Sequence, residues 1–526
     1  MDIFHLPLEQ ADRILNTLTL EQKIGQMVIA SIEVTRMDER TRAFLRDNAV
    51  GNVILFGKNC ADRGQIAALT GEIQDVVTQA SGGLQALISI DQEGGRVTRI
   101  RRGATVFPSA MGVSASGSED NAFLTGWIMG REMKALGIYH DFAPVMDCNF
   151  EGDEPIFSNR SYGTDPKRTA DFSCAMARGL REAGILDCGK HFPGQGRSQG
   201  DTHFDFVVHH DSKREILEEH LIPFRRAMAE GMRSFMTSHS CYPALDDRLI
   251  PNTVSSRVLQ DLARKEMGFQ GLIISDDILM AAVEKKYGAA NAAVLSAQAG
   301  CDMVIIGNGG DNADPDGLDV QPPIVRRMVE AARKGELSME RIHDSVRRII
   351  AVKLALGDMR PRQDVEKLDW SAHEAFAMAL SRQAVRVERD EIGLLPLPEG
   401  TLFLSRRAYA RLGVEEGDHL FDSFAPAAAS LLRGQAEEFD DVPDLEMLKA
   451  RIANAPAVAV SAASERECLR LVDSMKKIFL LNPRFCFICL DSPHLIRHVP
   501  FAPCVVSSCD QTLHAVRAVC EKLQKK

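Results

Sequence analysis

The sequence predicts an α/β protein with an N-terminal TIM-like (β/α)8 barrel followed by a smaller C-terminal α/β sandwich-type domain. Eight short apolar runs recur between residues 22 and 308, and segments with helical periodicity alternate with them. The pattern changes near residue 357. Strand–helix alternation is typical of a parallel sheet covered by helices, and eight repeats in about 300 residues are typical of a barrel.

The eight apolar runs are the predicted barrel strands. Most are continuously apolar, which is typical of strands buried on both faces of a parallel sheet. In chain order they occupy residues 26–31, 52–57, 84–91, 140–147, 185–191, 234–239, 271–277 and 303–308. Helices are predicted between them, at 62–80, 213–231 and 255–268 among others. A doubly wound open sheet is the alternative, but no G-x-G-x-x-G motif follows the first strand, which counts against a dinucleotide-binding version.

Residues 1–356 are the predicted barrel domain, 357–370 a linker and 371–526 the second domain. The linker GDMRPRQDVEKLDW is polar and breaks the alternating pattern. Beyond it, a helix and four apolar runs are predicted at 371–385, 401–405, 457–462, 485–491 and 504–508. Helical segments lie between these runs, so the second domain is also predicted to be layered α/β.

Composition and charge exclude several classes of protein. A hydrophobic content of 45% with 26% charged residues is ordinary for a soluble globular protein. The net charge of -11 argues against nucleic acid as a partner, since phosphate contacts need clustered Lys and Arg. No apolar run predicts a membrane span, and no signal peptide is recognised. Twelve cysteines without framework spacing, including Cys486 and Cys489 in one apolar run, predict a cytoplasmic protein with reduced thiols.

Polar residues stand at the carboxyl ends of most of the later predicted strands. These residues are Asp91, Asp147, Lys190 with His191, His239, Asp276 with Asp277, and Asn308. In a barrel the carboxyl ends converge on one face, where active sites are built. Any one of these residues could simply cap the next helix, but six such ends together favour an active site.

Two segments carry candidate sugar-binding groups. In SIDQEGGRVTRI, Asp91 ends a strand, Gly94 and Gly95 allow a tight turn, and Arg99 follows. A carboxylate and a guanidinium near the same mouth of the predicted barrel can form hydrogen bonds to several hydroxyls in fixed directions. In NRSYGTDP, Arg160 lies in the loop after the fourth strand. A surface ion pair and a solvated arginine in an ordinary turn remain open as alternatives at this point.

Two further segments carry candidate catalytic groups. The segment KHFPGQGRSQGDTHFDF is rich in Gly and ionisable residues, which predicts a loop. Asp201 and His203 are two residues apart, so the carboxylate could orient the imidazole and raise its basicity as a proton shuttle. In GLIISDDILM, Asp276 and Asp277 end a buried strand. One of them could be a nucleophile or base, and periodicity leaves open which.

Taken together, these motifs resemble glycoside hydrolase family 3, and within it the β-N-acetylglucosaminidase branch. The resemblance covers residues of about 10 to 355 in register. It is carried by IDQEGGRV, FAPVMD, NRSYGTDP, KHFPGQG followed after four residues by DTH, MTSHSCYPALD and IISDDILM. The second domain resembles the α/β sandwich domain of the family.

The resemblance implies a retaining enzyme with Asp276 as nucleophile and His203, assisted by Asp201, as acid/base. The residues implied to bind the sugar hydroxyls and N-acetyl group are Asp91, Arg99, Arg160, Lys190 and His191. The implied activity is that of an exo-acting β-N-acetylhexosaminidase without metal or cofactor. It would release terminal N-acetylglucosamine from short glycosides, such as cell-wall fragments, in the cytoplasm. No nucleic-acid or membrane partner is expected, and the oligomeric state is left open.

The sequence departs from the family pattern in three places. Gln195 stands where His is common and Thr202 where Ser is common, which leaves pocket shape and leaving-group preference open. The second domain lacks an evident Lys-Asn pair after its entry helix, which weakens the expectation that it reaches the site.

A β-N-acetylglucosaminide phosphorylase is one alternative function, because a His–Asp pair carries less negative charge toward an incoming phosphate than a Glu does. A non-catalytic sugar-binding protein is the other, and the presence of Asp276, Asp201 and His203 disfavours it.

Overall fold

A computed structural model gives the structure of the protein for residues 7–150, 157–197, 202, 205–307, 318–362, 365–407 and 423–524. Three residues singled out above, Asp201, His203 and Asn308, lie outside the described residues.

Eight parallel strands within the described ranges form the barrel that the sequence predicts. They are β1 Val28–Ser31, β2 Asn52–Leu55, β3 Leu87–Ile90, β4 His140–Asp141, β5 Gly189–Phe192, β6 Ser234–Thr237, β7 Leu272–Ile274 and β8 Val304–Ile306. All the residues of these strands are buried, as their continuous apolar character predicts. A short strand, Leu186–Asp187, precedes β5 and pairs with β4.

Pairing between the strands closes into a ring. One series runs β8-β1-β2-β3-β4 and ends on the short strand before β5, and a second runs β5-β6-β7. Single bridges, Val145 with Lys190 and Ile274 with Met303, join the two series at both ends. A closed ring excludes the doubly wound open sheet and brings the carboxyl ends of all eight strands to one mouth.

Helices alternate with the barrel strands, and several begin where side chains cap them. Asp62, Asp165 and Ser338 each accept a hydrogen bond from the third residue of the helix that follows. The helices are Leu8–Leu15, Leu20–Gln26, Glu39–Asp47, Arg63–Ala80, Ala110–Ala115, Glu119–Ala135, Pro166–Ala183, Lys213–Glu215, Ile222–Ala229, Ala281–Tyr287, Ala289–Ala299, Gln321–Arg333 and Met339–Leu356. Two segments, Ile216–His220 and Arg257–Glu266, are π-helical, so the predicted helix 213–231 is interrupted. No helix in the described part of the chain is long and apolar enough to cross a membrane.

The second domain is built on one six-stranded sheet. Its strands, in spatial order, are Arg386–Asp390, Cys504–Ser507, Phe485–Cys489, Val458–Ala462, Leu402–Arg406 and Gln435–Phe439. The first of these is antiparallel to its neighbour, and the others are parallel. The helices of this domain are Trp370–Ala384, Phe424–Leu432, Leu445–Asn454, Glu465–Leu481 and Leu513–Leu523. The four predicted apolar runs are the central strands, whereas the two polar edge strands escaped prediction because their sequences, RVERD and QAEEF, carry little apolar signal.

A lysine is buried at the opposite end of the barrel from the mouth. Lys353 is 3% exposed, and its Nζ donates to Gln26 Oε1 at 2.7 Å and to the Gly51 carbonyl at 2.9 Å. No carboxylate among the described residues pairs with it. Burial lowers the pKa of Lys353 from 10.5 to about 7.

Replacing Lys353 with Met is expected to change how stability depends on pH. Between the folded and unfolded pKa values the unfolded chain binds a proton that the folded chain does not, so this group makes stability rise with pH. The free energy of unfolding of the wild type, relative to Lys353→Met, should therefore rise by about 1.4 kcal/mol per pH unit between about pH 8 and pH 10. Urea denaturation at several pH values measures this difference. A constant difference across the range would contradict a neutral Lys353.

Candidate functional site

The candidate site begins at the hairpin that follows β3. The hairpin strands Gln92–Gly94 and Val97–Thr98 are joined through Gly94 (φ +91°) and Gly95 (φ +57°). A Cβ at Gly94 would lie 2.6 Å from the Pro108 carbonyl oxygen, so the turn requires glycine on both conformational and steric grounds. The hairpin holds Asp91 and Glu93 at the barrel mouth.

Four charged side chains from three segments at the barrel mouth form one cluster, in which all but Asp91 are almost fully buried. Lys190 Nζ lies 2.6 Å from Asp91 Oδ1 and 2.7 Å from Glu93 Oε1. Arg160 donates two hydrogen bonds to Glu93, from Nε to Oε2 and from Nη2 to Oε1, each 2.8 Å long. Arg99 Nη2 approaches Asp91 Oδ2 at 3.9 Å. We refer to Asp91, Glu93, Arg160 and Lys190 as the charge cluster.

Burial and neighbouring charges act in opposite directions on the pKa values of Glu93 and Lys190. Burial alone would raise the pKa of Glu93, but the charges of Arg160 and Lys190 outweigh burial and hold this pKa well below its usual range. Burial alone would lower the pKa of Lys190, but Asp91 and Glu93 raise it above its usual value. Glu93 therefore stabilises the fold above about pH 4.5 and loses this effect on acidification, whereas Lys190 contributes below about pH 10.5 and loses its effect in stronger base. Glu93, Lys190 and Arg160 are therefore charged at neutral pH.

Within the charge cluster, Asp91 is the member best placed to meet a ligand. Its side chain is 15% exposed, whereas those of Glu93, Arg160 and Lys190 are 2–4% exposed. A carboxylate held by Lys190 and Arg99 keeps further acceptor positions for hydroxyl donors. The arrangement can fix the direction of a polar, uncharged ligand at the mouth.

His191 is oriented by a carboxylate behind it. Its Nδ1 lies 2.7 Å from Asp147 Oδ2, and its backbone N–H donates to the same oxygen at 3.1 Å. The other oxygen of Asp147 accepts the Gln195 N–H at 2.8 Å, and Asp147 is completely buried. Because Nδ1 donates to Asp147, the ring orientation is fixed and Nε2 is directed away from the carboxylate.

The adjacent carboxylates after β7 have different surroundings. Asp277 Oδ1 accepts the backbone N–H groups of Leu279 at 3.0 Å and Gly307 at 2.9 Å, and a Cβ at Gly307 would collide with the same carboxyl group. Asp277 thus ties the end of β7 to the end of β8. Asp276, which is partly exposed at the strand end, accepts the Asp277 N–H at 2.8 Å through Oδ1. Of the two carboxylates, Asp277 is the one that links two strand ends, whereas Asp276 Oδ1 accepts from the residue next to it.

Hydrogen bonds link neighbouring strand ends from β4 through β8 to β1. The Ser240 hydroxyl donates to Gln195 Oε1 at 2.7 Å, and His239 Nε2 lies 2.8 Å from the Asp277 carbonyl oxygen. The Ser31 hydroxyl donates to the Gly307 carbonyl at 2.8 Å. We call this series, which runs from Asp147 through these residues to Ser31, the mouth belt. Gln195, one departure from the family pattern, is part of it.

The structure brings together four of the predicted site residues, Asp91, Arg99, Arg160 and Lys190. It places His191 next to Lys190 on β5, and Asp276 after β7, two strands further round the barrel. Asp201 and His203 lie outside the described residues, although the Thr202 carbonyl between them accepts the Ala282 N–H at 3.3 Å. The sequence argument missed Glu93, the residue that joins Arg160 to Lys190. Its position two residues after Asp91, on the same hairpin, was the available signal.

The sequence predicts Asp147 only as a strand-end residue, and its hydrogen bond with His191 was not predicted.

Within the described ranges, no group of three His, Cys, Asp or Glu side chains is arranged to hold a metal ion.

Comparison with known proteins gives consistent similarities. Residues 19–352 match the family model described as the Glycosyl hydrolase family 3 N terminal domain. A beta-hexosaminidase of Neisseria meningitidis serogroup A / serotype 4A is 36% identical over 295 residues, 55% of this chain and 79% of that protein. A glycoside hydrolase family 3 beta-N-acetylglucosaminidase from Paenibacillus sp. str. FPU-7 superimposes with a TM-score of 0.85 and 26% identity, covering 96% of this chain and 97% of its own.

A second similar structure was solved with a sugar derivative. NagZ from Neisseria gonorrhoeae, in complex with N-trifluoroacetyl-D-glucosamine, matches 67% of this chain and 97% of its own at 30% identity, with a TM-score of 0.56.

Proposed function

This chain belongs to glycosyl hydrolase family 3 and is a glycoside hydrolase, and from that premise we propose that it is a retaining exo-β-N-acetylhexosaminidase. It releases terminal N-acetylglucosamine from short glycosides, with cell-wall fragments as the natural source. The observation that carries the proposal is the charge cluster, because a set of ion-paired side chains with one accessible carboxylate suits an uncharged polyhydroxy ligand. The names of the related proteins support N-acetylglucosamine as the sugar.

The first chemical step is glycosylation of Asp276. A carboxylate oxygen attacks the anomeric carbon while the bond from that carbon to the leaving-group oxygen breaks, and His203 donates its proton to that oxygen. The commitment of Asp277 to the backbone amides of Leu279 and Gly307 supports Asp276 as the nucleophile.

The second step releases the sugar. Water attacks the anomeric carbon from the face that the leaving group vacated, His203 accepts the proton from this water, and the bond to Asp276 breaks. Two inversions give net retention. We assign Asp201 the role of orienting His203 and raising its basicity.

Binding of the sugar is assigned to the residues around the charge cluster. Asp91 accepts hydroxyl donors, whereas Arg99 and His191 provide donors at the same mouth. Lys190 and Arg160 hold Glu93 ionised and can donate further hydrogen bonds to the sugar or its N-acetyl group.

We also propose the domain organisation and the cellular location of the enzyme. Residues 1–356 form the catalytic domain, 357–370 the linker and 371–526 the second domain. All twelve cysteines lie within the described ranges as buried free thiols, which supports a reducing cytoplasmic location.

The proposed function is tested with aryl glycosides. The purified chain should hydrolyse an aryl β-N-acetylglucosaminide far faster than the matching β-glucoside, and NMR should detect β-N-acetylglucosamine as the first product. Equal rates on the two glycosides would contradict the assigned specificity. A sugar 1-phosphate formed in phosphate buffer would instead identify a phosphorylase.

Replacing His203 with Ala is expected to affect substrates according to their leaving groups. A sugar alkoxide needs a proton, so hydrolysis of a natural disaccharide should fall about 10²–10⁴-fold. A dinitrophenolate leaves unaided, so glycosylation from that substrate should be nearly spared while deglycosylation slows. A burst of dinitrophenol and a mass increase on Asp276 would record the trapped intermediate. Equal losses on both substrates without a burst would make His203 a binding residue.

A further inference from the structure

We infer that Asp491, in the second domain, is a positioning residue for Arg160 at the barrel mouth. The inference rests on the proposed function, since it assigns the sugar site as the place where the effect appears. The second domain lacks an evident Lys-Asn pair that would favour its direct contact with the sugar, whereas the inference requires only a contact with the turn that carries Arg160.

The contact joins the two domains close to the charge cluster. The Ser158 hydroxyl donates to Asp491 Oδ1 at 2.8 Å, across 333 residues of sequence. Ser158 is 6% exposed and Asp491 is 1% exposed, so the bond is shielded from water. Ser158 opens the short helical turn Ser158–Arg160. A change at Ser158 therefore moves the backbone that carries Arg160.

The backbone of Ser158 shows that this turn is held in place. Its φ is +28°, a conformation that residues with a side chain rarely adopt. Such a conformation persists only where surrounding contacts enforce it. The buried bond to Asp491 is such a contact, and its loss should let the turn relax toward a commoner conformation.

Asp491 is itself fixed by the strand end on which it stands. It follows the strand Phe485–Cys489, and the Cys489 thiol donates to the carbonyl oxygens of Asp491 at 3.7 Å and Ser492 at 3.2 Å. Ser492 caps the short helical segment Pro493–His498 by accepting the His494 N–H. The acceptor for Ser158 is thus presented by an ordered turn.

From Ser158 the contacts continue to the charge cluster. Arg160 holds Glu93 through two hydrogen bonds, and Glu93 holds Lys190, which holds Asp91. A displacement of Arg160 would therefore alter the position of the accessible carboxylate rather than remove it. Such a change weakens binding of the sugar in ground state and transition state alike, which raises KM and leaves kcat nearly unchanged.

A second contact braces the hairpin on the other side of Glu93. The Ser109 hydroxyl donates to the Cys509 carbonyl at 2.7 Å, and Ser109 lies directly against Gly95, where an added Cβ would be 2.6 Å from that of Ser109. The second domain therefore supports both segments that converge on Glu93, the hairpin through Ser109 and the Arg160 turn through Ser158.

The experiment compares full-length variants with an aryl β-N-acetylglucosaminide as substrate. Asp491→Ala and Ser158→Ala should each raise KM about five- to tenfold, with kcat within about twofold of wild type. The double variant should match the single variants, because both substitutions remove one bond. Asn482→Ala is the matched control. It removes two hydrogen bonds within the second domain, to the carbonyl groups of Ile452 and Ala455, and Asn482 precedes the strand Phe485–Cys489 whereas Asp491 follows it.

The control should lower thermal stability without raising KM. Any of three results would overturn the inference. KM could be unchanged in Asp491→Ala, or KM could rise equally in Asn482→Ala. The KM change of the double variant could also equal the product of the two single changes. If the wild type does not hydrolyse the glycoside, the proposed function alone is overturned. The dissociation constants of the same variants for N-acetylglucosamine are then measured by calorimetry. The inference requires that these constants rise in the variants as KM was expected to rise. A wild type with neither turnover nor binding overturns both.

Discussion

Replacing Asp276 with Ala is expected to lower kcat for an aryl β-N-acetylglucosaminide by about 10⁴-fold or more, because the covalent route is lost with the nucleophile. The fold should be retained, since Asp276 is partly exposed at a strand end and contributes little to the core. Azide can enter the space left by the carboxylate and attack the anomeric carbon from that side. The product should be the α-glycosyl azide, identified by NMR, formed at a rate that rises with azide concentration.

Asp277→Asn is the matched control for Asp276→Ala. The amide oxygen of Asn can still accept the Leu279 and Gly307 N–H groups, so this variant should retain turnover within about tenfold. If Asp277→Asn lost activity and gave the glycosyl azide while Asp276→Ala kept its rate, the assignment of the two carboxylates would be reversed.

Replacing Glu93 with Gln is expected to have the largest effect on stability. The substitution leaves Arg160 and Lys190 buried with Asp91 as the remaining acidic member of the charge cluster. Breaking a buried ion pair by removing one partner destabilises a protein by about 3–5 kcal/mol. The midpoint of urea denaturation should fall accordingly, and KM should rise because Lys190, which holds Asp91, loses one of its two carboxylate partners and can shift.

A double variant separates these two effects. Glu93→Leu combined with Arg160→Met removes both charges, so no uncompensated charge is left and stability should recover most of the loss. Sugar binding should not recover, because Arg160 is absent. A Glu93→Gln protein as stable as wild type would show that the pair is not shielded from water.

The positions of the barrel strands could be predicted because a strand buried on both faces leaves a local mark, a short continuous apolar run. The strand Phe485–Cys489 is an example in the second domain, where every residue is buried. The edge strand Gln435–Phe439 leaves no such mark, since most of its side chains are only partly buried and polar residues are tolerated there. Local composition therefore predicts the central strands of a sheet but not its edge strands.

The partnerships within the site could not be predicted in the same way. Glu93 and Arg160 are 67 residues apart, so their pairing depends on how the barrel closes. The distinction between Asp276 and Asp277 depends on Gly307, which is 30 residues beyond Asp277. The residue types at the mouth were evident from the motifs, whereas the choice of partner required the three-dimensional arrangement.

The mouth belt has a consequence for attempts to redesign the sugar preference. Asp147 and Gln195 lie next to the sugar-binding groups and also hold neighbouring strand ends together. A library of variants at these two positions therefore changes the stability of the fold and the sugar preference at the same time. Most members of such a library would be lost before their selectivity could be measured. Diversity introduced at partly exposed positions outside the belt would leave the scaffold intact and let the pocket change by small increments.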